Sequence, residues 1–297
     1  MVLAYAVYKA VQYIIWAGSS VSMEGKVVVI TGGGSGLGRL MALDLASQGA
    51  VLVLADVNRE GLVDVVEEIG ALGGEAYGHL CDVTDRDQVY SLAEQVEAEL
   101  GAADVVVLNA GVVSGKTLLD VSDKMAELTF NVNAVAHFWF VKAFLPGMKA
   151  RNEGHIVSIA SAAGLVGVVG LADYCASKFA AVGLMESLRL ELRRERSAVK
   201  TTTVMPFYIN TGMFEGVTGV PILLPILDPD YVAGRIVTAI RHGEKHLYLP
   251  PILGYLSLLR GILPIGVFDW LGEVLGVSNS MDDFSGRGQD FHEGTAH

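Results

Sequence analysis

At 297 residues the chain has room for one large domain or two small ones, and a net charge of −12 excludes nucleic acid as a partner. Its two cysteines, Cys81 and Cys175, exclude a disulfide framework and suit a reducing compartment. Hydrophobic residues make up 52%, charged ones only 18%, and mean hydropathy is +0.45, an apolar excess concentrated at the two ends that points to a lipid surface rather than a larger core.

Residues 1–22 begin with the apolar run VLAYAVYKAVQYIIWA, whose only charge is Lys9. Its tyrosines and Trp16 suit a membrane boundary, so an interfacial or hairpin-like anchor is expected. A spanning helix, a signal peptide and a core helix are the competing readings. Residues 23–249 alternate short β-branched runs with helical patterns. Strands are expected at Val27–Thr31, Val51–Asp56, Ala76–Cys81, Asp104–Leu108, His155–Ala160, Lys200–Met205 and Lys245–Leu249. Helices are expected at Gly36–Ser47, Glu60–Leu72, Asp85–Leu100, Ser122–Ala150, Tyr174–Arg194 and Asp230–Arg241. Apolar strands separated by amphipathic helices predict a parallel sheet covered on both faces, a doubly wound α/β fold in one domain. Residues 212–228 (substrate loop) and 250–277 break this rhythm and are apolar; Arg260 and Asp269 in the second make two surface-lying helices the expectation, with packing on the core or a second subunit as the alternative. The tail 278–297 is polar, Gly-rich and expected to be mobile.

Thr31-Gly32-Gly33-Gly34-Ser35-Gly36-Leu37-Gly38 follows the first strand and opens the first helix. Glycines there let the backbone turn sharply and approach a pyrophosphate on the helix N-terminus. The spacing Gly32, Gly36, Gly38 differs from the G-x-G-x-x-G fingerprint. Asp56 ends the second strand, where a carboxylate accepts both ribose hydroxyls and repels a 2′-phosphate. Ser35 is not basic, so NAD(H) is the expected cofactor over NADP(H), with Arg59 the one residue that argues otherwise. A strand-end turn or helix cap is the plain alternative for Asp56. Asp82 and Val83 end the third strand, within reach of an adenine, or Asp82 caps the next turn. Asn109, Ala110 and Gly111 end the fourth, where small residues let a ribose lie against the backbone. Tyr174 and Lys178 stand four apart on one helix face. A cation beside a phenol favours the phenolate and makes an acid/base pair for an alcohol or carbonyl. No His/Cys/Asp cluster has metal-ligand spacing, so no metal is expected.

These pieces, in this order, resemble the short-chain dehydrogenase/reductases over roughly residues 26–249: the glycine turn, Asp56, Asp82-Val83, Asn109-Ala110-Gly111, Asn133, Ser161, Tyr174 with Lys178, and Pro206 to Thr211. Ser161 precedes Tyr174 by 174 − 161 = 13 positions, the interval usual in that family. HFWFVKAFLPGM, GHIVSIASAAG, DYCASKFAAVG and PFYINTGMF further resemble the membrane-associated retinol dehydrogenases and the lipid-droplet 17β-hydroxysteroid dehydrogenases. Leu108 stands where the family usually has a first Asn, and Phe207 where Gly is commoner.

The resemblance implies that Tyr174 is the general acid/base, that Lys178 lowers its pKa and binds the nicotinamide ribose, and that Ser161 holds the substrate oxygen. It implies that Asn133 holds a water linking Lys178 to solvent, and that Pro206, Ile209 and Thr211 flank the nicotinamide. His137 is expected to pack at a subunit interface, and Phe138-Trp139-Phe140 in the core or a dimer contact. The apolar 212–228 loop suits a retinoid, steroid or related lipid alcohol. The implied setting is a homodimer on the endoplasmic reticulum membrane or a lipid droplet, its catalytic domain facing the cytosol. A soluble reductase of another small carbonyl and a catalytically dead lipid-surface scaffold are the alternatives.

Overall fold

The computed structural model describes residues 20–220 and 223–286. The apolar run at residues 1–19 and the final residues from 287 lie outside this range, so the anchor expected there is not described. β-branched runs give seven parallel strands: β1 Val27–Thr31, β2 Val51–Asp56, β3 Glu75–Leu80, β4 Val105–Leu108, β5 His155–Ile159, β6 Lys200–Pro206 and β7 His246–Leu249. They lie in the order β3-β2-β1-β4-β5-β6-β7. The connecting helices are α1 Gly36–Ser47, α2 Arg59–Ala71, α3 Arg86–Leu100, α4 Asp123–Phe130, α5 Ala136–Arg151, α6 Ala172–Arg194 and α7 Pro229–His242.

Alternate strand residues feed two cores. Val28, Ile30, Leu52 and Leu54 pack with Met41 and Leu45 of α1 and Val232 and Ile236 of α7. Val27, Val29, Val53 and Ala55 face the other way, onto Val89 of α3, Phe140 of α5 and Met185 of α6. Both faces are therefore dry, which is why the strands read as unbroken apolar runs. β3 is the exception: it forms one edge of the sheet, and Tyr77 and Leu80 are exposed. Leu108 is buried in the second core, so the departure at that position costs no packing.

The helix expected over 122–150 is interrupted by a π turn at Asn131–Val135. Residues 250–277 carry two short helices, α8 Ile252–Ile262 and α9 Ile265–Val274. Leu253 is the buried residue of α8, α9 has none, and Tyr255, Leu258, Ile262, Ile265, Trp270 and Val274 point outward. Among the described residues no helix is long and apolar enough to cross a membrane. The chain beyond α9 departs from the expected mobile tail. Residues 280–286 are pinned to the loop after β6, where Thr218 N–H donates to the Ser280 carbonyl (3.0 Å) and Ser285 N–H to the Glu215 carbonyl (2.9 Å).

Candidate active site

Every expected site residue lies at the C-terminal edge of the sheet, where β1 and β4 sit side by side while their chains lead to opposite ends. Such a reversal opens a crevice between the outgoing loops. The glycine turn crosses it. Gly32 has φ +65°, and a Cβ there would lie 3.0 Å from the Cα of Ala110 and from Asn109 Nδ2. A Cβ on Gly38 would fall 2.8 Å from Asn109 Nδ2 and 2.9 Å from the carbonyl carbon of Gly32. The turn is thus folded onto itself and onto the end of β4. Asn109 locks it, donating to the carbonyls of Thr31 (2.9 Å) and Gly32 (3.1 Å). Thr31 Oγ1 accepts from the N–H groups of Asn109 and Ala110, each at 2.9 Å. Thr31 and Asn109 are therefore builders of the turn, a role that spacing alone did not reveal.

Ser35 precedes α1 in extended conformation and does not cap it with its side chain. The first-turn amides of Gly36, Leu37 and Gly38 remain the positive end of the helix, suited to an anion. Asp56 is half-buried beside them, its Oδ2 accepting from Gly34 N–H (3.0 Å) and its Oδ1 from Asn58 N–H (2.9 Å). A pinned carboxylate at the strand end and a helix N-terminus at the turn together fit an adenosine ribose and a pyrophosphate. Asp82 is exposed, and its Oδ1 already takes the N–H (2.9 Å) and the hydroxyl (2.7 Å) of Thr84, while Val83 is buried. Pro206 ends β6; Ile209 pairs with Leu227, and Thr211 N–H donates to the Ile209 carbonyl at 2.8 Å.

Ser161 follows β5, and Tyr174 and Lys178 enter on the first two turns of α6. The Ser161 hydroxyl accepts from Ala163 N–H at 3.1 Å and lies close enough to the Tyr174 phenol to lower its pKa. Lys178 Nζ donates to the Ile159 carbonyl at 2.9 Å and lies 5.5 Å from the centre of the Tyr174 ring. The three expected residues converge. Their electrostatics differ from the sequence expectation. Burial pushes the Tyr174 phenol above its ordinary range, with Ser161 opposing, and the same burial pulls Lys178 down to about 8. Desolvation acts on both groups of the pair and, at the phenol, outweighs the opposing Ser161 contact.

Asn133 is fully buried in the π turn, a distortion that recurs at functional sites. Its side chain is committed: Oδ1 accepts from Val112 N–H (2.9 Å), and Nδ2 donates to the Val112 carbonyl (2.9 Å) and to Ser177 Oγ (3.0 Å). It ties the loop after β4 to α6. Gly111 leaves the space between: a Cβ there would be 3.3 Å from Asn133 Oδ1 and 3.7 Å from Lys178 Nζ. His137, expected at a subunit interface, is instead buried behind β5, with Nδ1 3.4 Å from Ser158 Oγ, and burial lowers its pKa to about 3. Phe140 is core, and Phe138 is exposed on the same helix.

Sequence reasoning missed Asp173. Its buried carboxylate accepts from Ser114 Oγ (2.8 Å) and Thr129 Oγ1 (3.0 Å), fixing the start of α6 against α4 and the loop after β4. No local pattern marks it, because its partners lie 59 and 44 residues away. Over Tyr174 stands Phe214, ring centres 5.7 Å apart and nearly edge-on at 80°, with Tyr208 at 5.1 Å from Phe214.

The chain as a whole is similar to known proteins. The chain is 48% identical over 271 residues to epidermal retinol dehydrogenase 2 of Mus musculus, covering 90% of this chain and 87% of that one. It is 41% identical over 244 residues to estradiol 17-beta-dehydrogenase 11 of Homo sapiens, covering 82% and 81%. A short chain dehydrogenase/reductase from Burkholderia phymatum, solved with NAD, superposes with a TM-score of 0.75 at 31% identity, over 82% of this chain and 95% of that one. A metagenomic short-chain oxidoreductase solved with NADP gives 0.66 at 33% identity, over 77% and 98%. With residues 26–219 also matching the short chain dehydrogenase family model, the chain belongs to the short chain dehydrogenases.

Proposed function

We propose that the protein is an NAD-dependent alcohol dehydrogenase for a hydrophobic alcohol of the retinoid or steroid class, working at a lipid surface. The observation that carries this reading is the convergence of Ser161, Tyr174 and Lys178 beside the glycine turn, under an apolar aromatic cover. The nicotinamide, when bound, takes or returns a hydride at the carbinol carbon. Tyr174 moves the proton: its phenolate accepts it from the hydroxyl in oxidation, and its phenol returns it to the carbonyl oxygen in reduction. Ser161, beside that phenol, orients the substrate oxygen toward it. Lys178, at about 8, is still mainly protonated at pH 7, and its charge favours the phenolate when the proton must be taken. Asn133 acts through its grip on Val112 and Ser177, as a positioning residue.

Gly32, Ser35, Gly36, Leu37 and Gly38 would hold the pyrophosphate, Asp56 the adenosine ribose, Asp82 and Val83 the adenine. Asn109, Ala110, Gly111, Pro206, Ile209 and Thr211 would flank the nicotinamide side. The Asp56 carboxylate supports NAD over NADP, because a 2′-phosphate would face a fixed negative charge. The names of the relatives supply the substrate class, and the apolar lining agrees with it. The outward apolar side chains of α8 and α9 support a seat on lipid. Exposed Phe138 on α5 and Leu190 on α6 support a homodimer across these helices, which light scattering on the purified protein tests directly.

The test is turnover of all-trans-retinol and estradiol with NAD and with NADP, followed by cofactor absorbance. Tyr174→Phe is expected to lower kcat/KM by about 10²–10⁴ while leaving NAD affinity intact. Equal turnover in that variant overturns the reading.

A further inference from the structure

The phenol that must meet the substrate is 5% exposed. The apolar cluster that buries it includes a short stretch near the C-terminal end of the described chain. Met281 packs in one apolar cluster with Leu171, Tyr174, Cys175, Tyr208 and Val217, and Phe214 and Phe284 close its rim. The Phe284 ring stands 6.4 Å from Phe214, which itself stands on Tyr174. Residues 282 and 283, both aspartates, point to water, so the stretch presents apolar groups inward and negative charge outward.

Two loops of the site are shaped around it. Gly216 has φ +85°, and a Cβ there would lie 2.9 Å from the Asp283 carbonyl carbon and 3.1 Å from Ser285 N. Gly115 has φ +63°, and a Cβ there would lie 2.7 Å from Phe284 Cζ. Contacts this short are not tolerated by real Cβ atoms, so each glycine gives way where the stretch crosses. The buried hydroxyls of Tyr208 and Ser280 meet at 3.1 Å and add a polar pin.

We propose that residues 280–286 are the outer wall of the substrate site, and that Met281 and Phe284 select an elongated apolar alcohol. This rests on the dehydrogenase reading. A rigid or extended hydrocarbon that brings its hydroxyl to Ser161 and Tyr174 would run outward past the cover in which Phe214, Phe284 and Met281 pack. Neither wall side chain offers a hydrogen bond to a polar substrate, and Asp282 and Asp283 at the rim repel anionic ones.

The test uses the full chain and NAD, comparing kcat/KM for all-trans-retinol with that for cyclohexanol. In Met281→Ala and Phe284→Ala the retinol-to-cyclohexanol ratio is expected to fall about tenfold, chiefly through a raised KM for retinol, because a few lost apolar contacts discriminate by that order. Phe284→Leu should retain most of the ratio. The Kd for NAD, read by fluorescence titration, should not move, and it reports that each variant is folded. An unchanged ratio in Met281→Ala and Phe284→Ala, with NAD binding intact, overturns the proposal. Should Phe284→Ala fail to fold, the same comparison in Met281→Ala and Phe284→Leu decides it, and an unchanged ratio in Met281→Ala overturns it. Wild-type protein that binds NAD and oxidises neither alcohol overturns the dehydrogenase reading and the wall with it; wild-type turnover with unaltered selectivity in the variants overturns the wall alone.

Discussion

Gly38→Ala adds one methyl group to the most crowded point of the cofactor turn. The new Cβ would meet Asn109 Nδ2 at 2.8 Å and the carbonyl carbon of Gly32 at 2.9 Å. Neither neighbour can retreat freely. Asn109 Nδ2 is held by the Thr31 and Gly32 carbonyls at 2.9 and 3.1 Å, and Gly32 sits at φ +65°. Overpacking typically costs about 1–3 kcal/mol, and a backbone obstruction places this site at the upper end. Alanine is preferred over glycine within a helix by about 1 kcal/mol, which offsets part of it. The net expectation is a loss of about 2 kcal/mol, or a fall in Tm of about 4–8 °C for a domain of this size. The turn must open to relieve the contact, which displaces the first-turn amides of α1. NAD binding should weaken about 30-fold if a similar 2 kcal/mol is lost there. Gly70→Ala is the control: no atom lies within 4 Å of a Cβ at that position near the end of α2, so the same change should stabilise by about 0.5–1 kcal/mol. Thermal melting and fluorescence titration with NAD read both variants. A Gly38→Ala protein with the wild-type Tm and NAD affinity, or equal destabilisation by Gly70→Ala, refutes the reasoning.

Asp56→Ala removes the acceptor for Gly34 and Asn58 N–H and the charge proposed to face the adenosine ribose. Hydrogen bonds to charged groups contribute about 1.5–3 kcal/mol, so NAD affinity should fall by roughly 10–100-fold while NADP gains relative to it; an unaltered NAD-to-NADP ratio by calorimetry would sink the assignment. His137 and His155 are held neutral by burial, both pulled from 6.5 to about 3. A depressed folded-state pKa means that the unfolded chain binds the proton first. Stability should therefore be full above pH 6.5 and decline as pH falls from 6.5 toward about 3, by up to about 1.4 kcal/mol per pH unit for each histidine. Urea unfolding between pH 7 and 5 should show a shallower decline in His155→Gln, and identical slopes would contradict the argument. Trp270 on α9 is 57% exposed among apolar neighbours. On phosphatidylcholine vesicles the full chain should show a blue shift in tryptophan emission that Trp270→Phe diminishes, and no difference between the two would remove α9 from the lipid contact.

The sequence by itself determined what depends on near neighbours along the chain. Period and β-branching placed β1, β2 and α1 at their observed residues. Helical spacing put Tyr174 and Lys178 on one face, and the glycine run between strand and helix marked the turn. What only the tertiary structure decided depends on groups far apart in sequence and on loss of water. β3 proved an exposed edge because, among the described residues, no strand lies beyond it. Asn133 was spoken for by Val112 and Ser177, and His137 was buried behind β5 rather than placed at a subunit surface. Tyr174 kept its proton because the protein around it desolvates the phenol more than Ser161 compensates. Residues 280–286, which fall in a tail that reads as polar and mobile, are held against the loop after β6 because Glu215, Thr218 and Tyr208 offer them bonds across 62 to 72 positions of chain. Local propensity carries no record of such partners, and the dielectric a side chain meets is set only when the elements close around it.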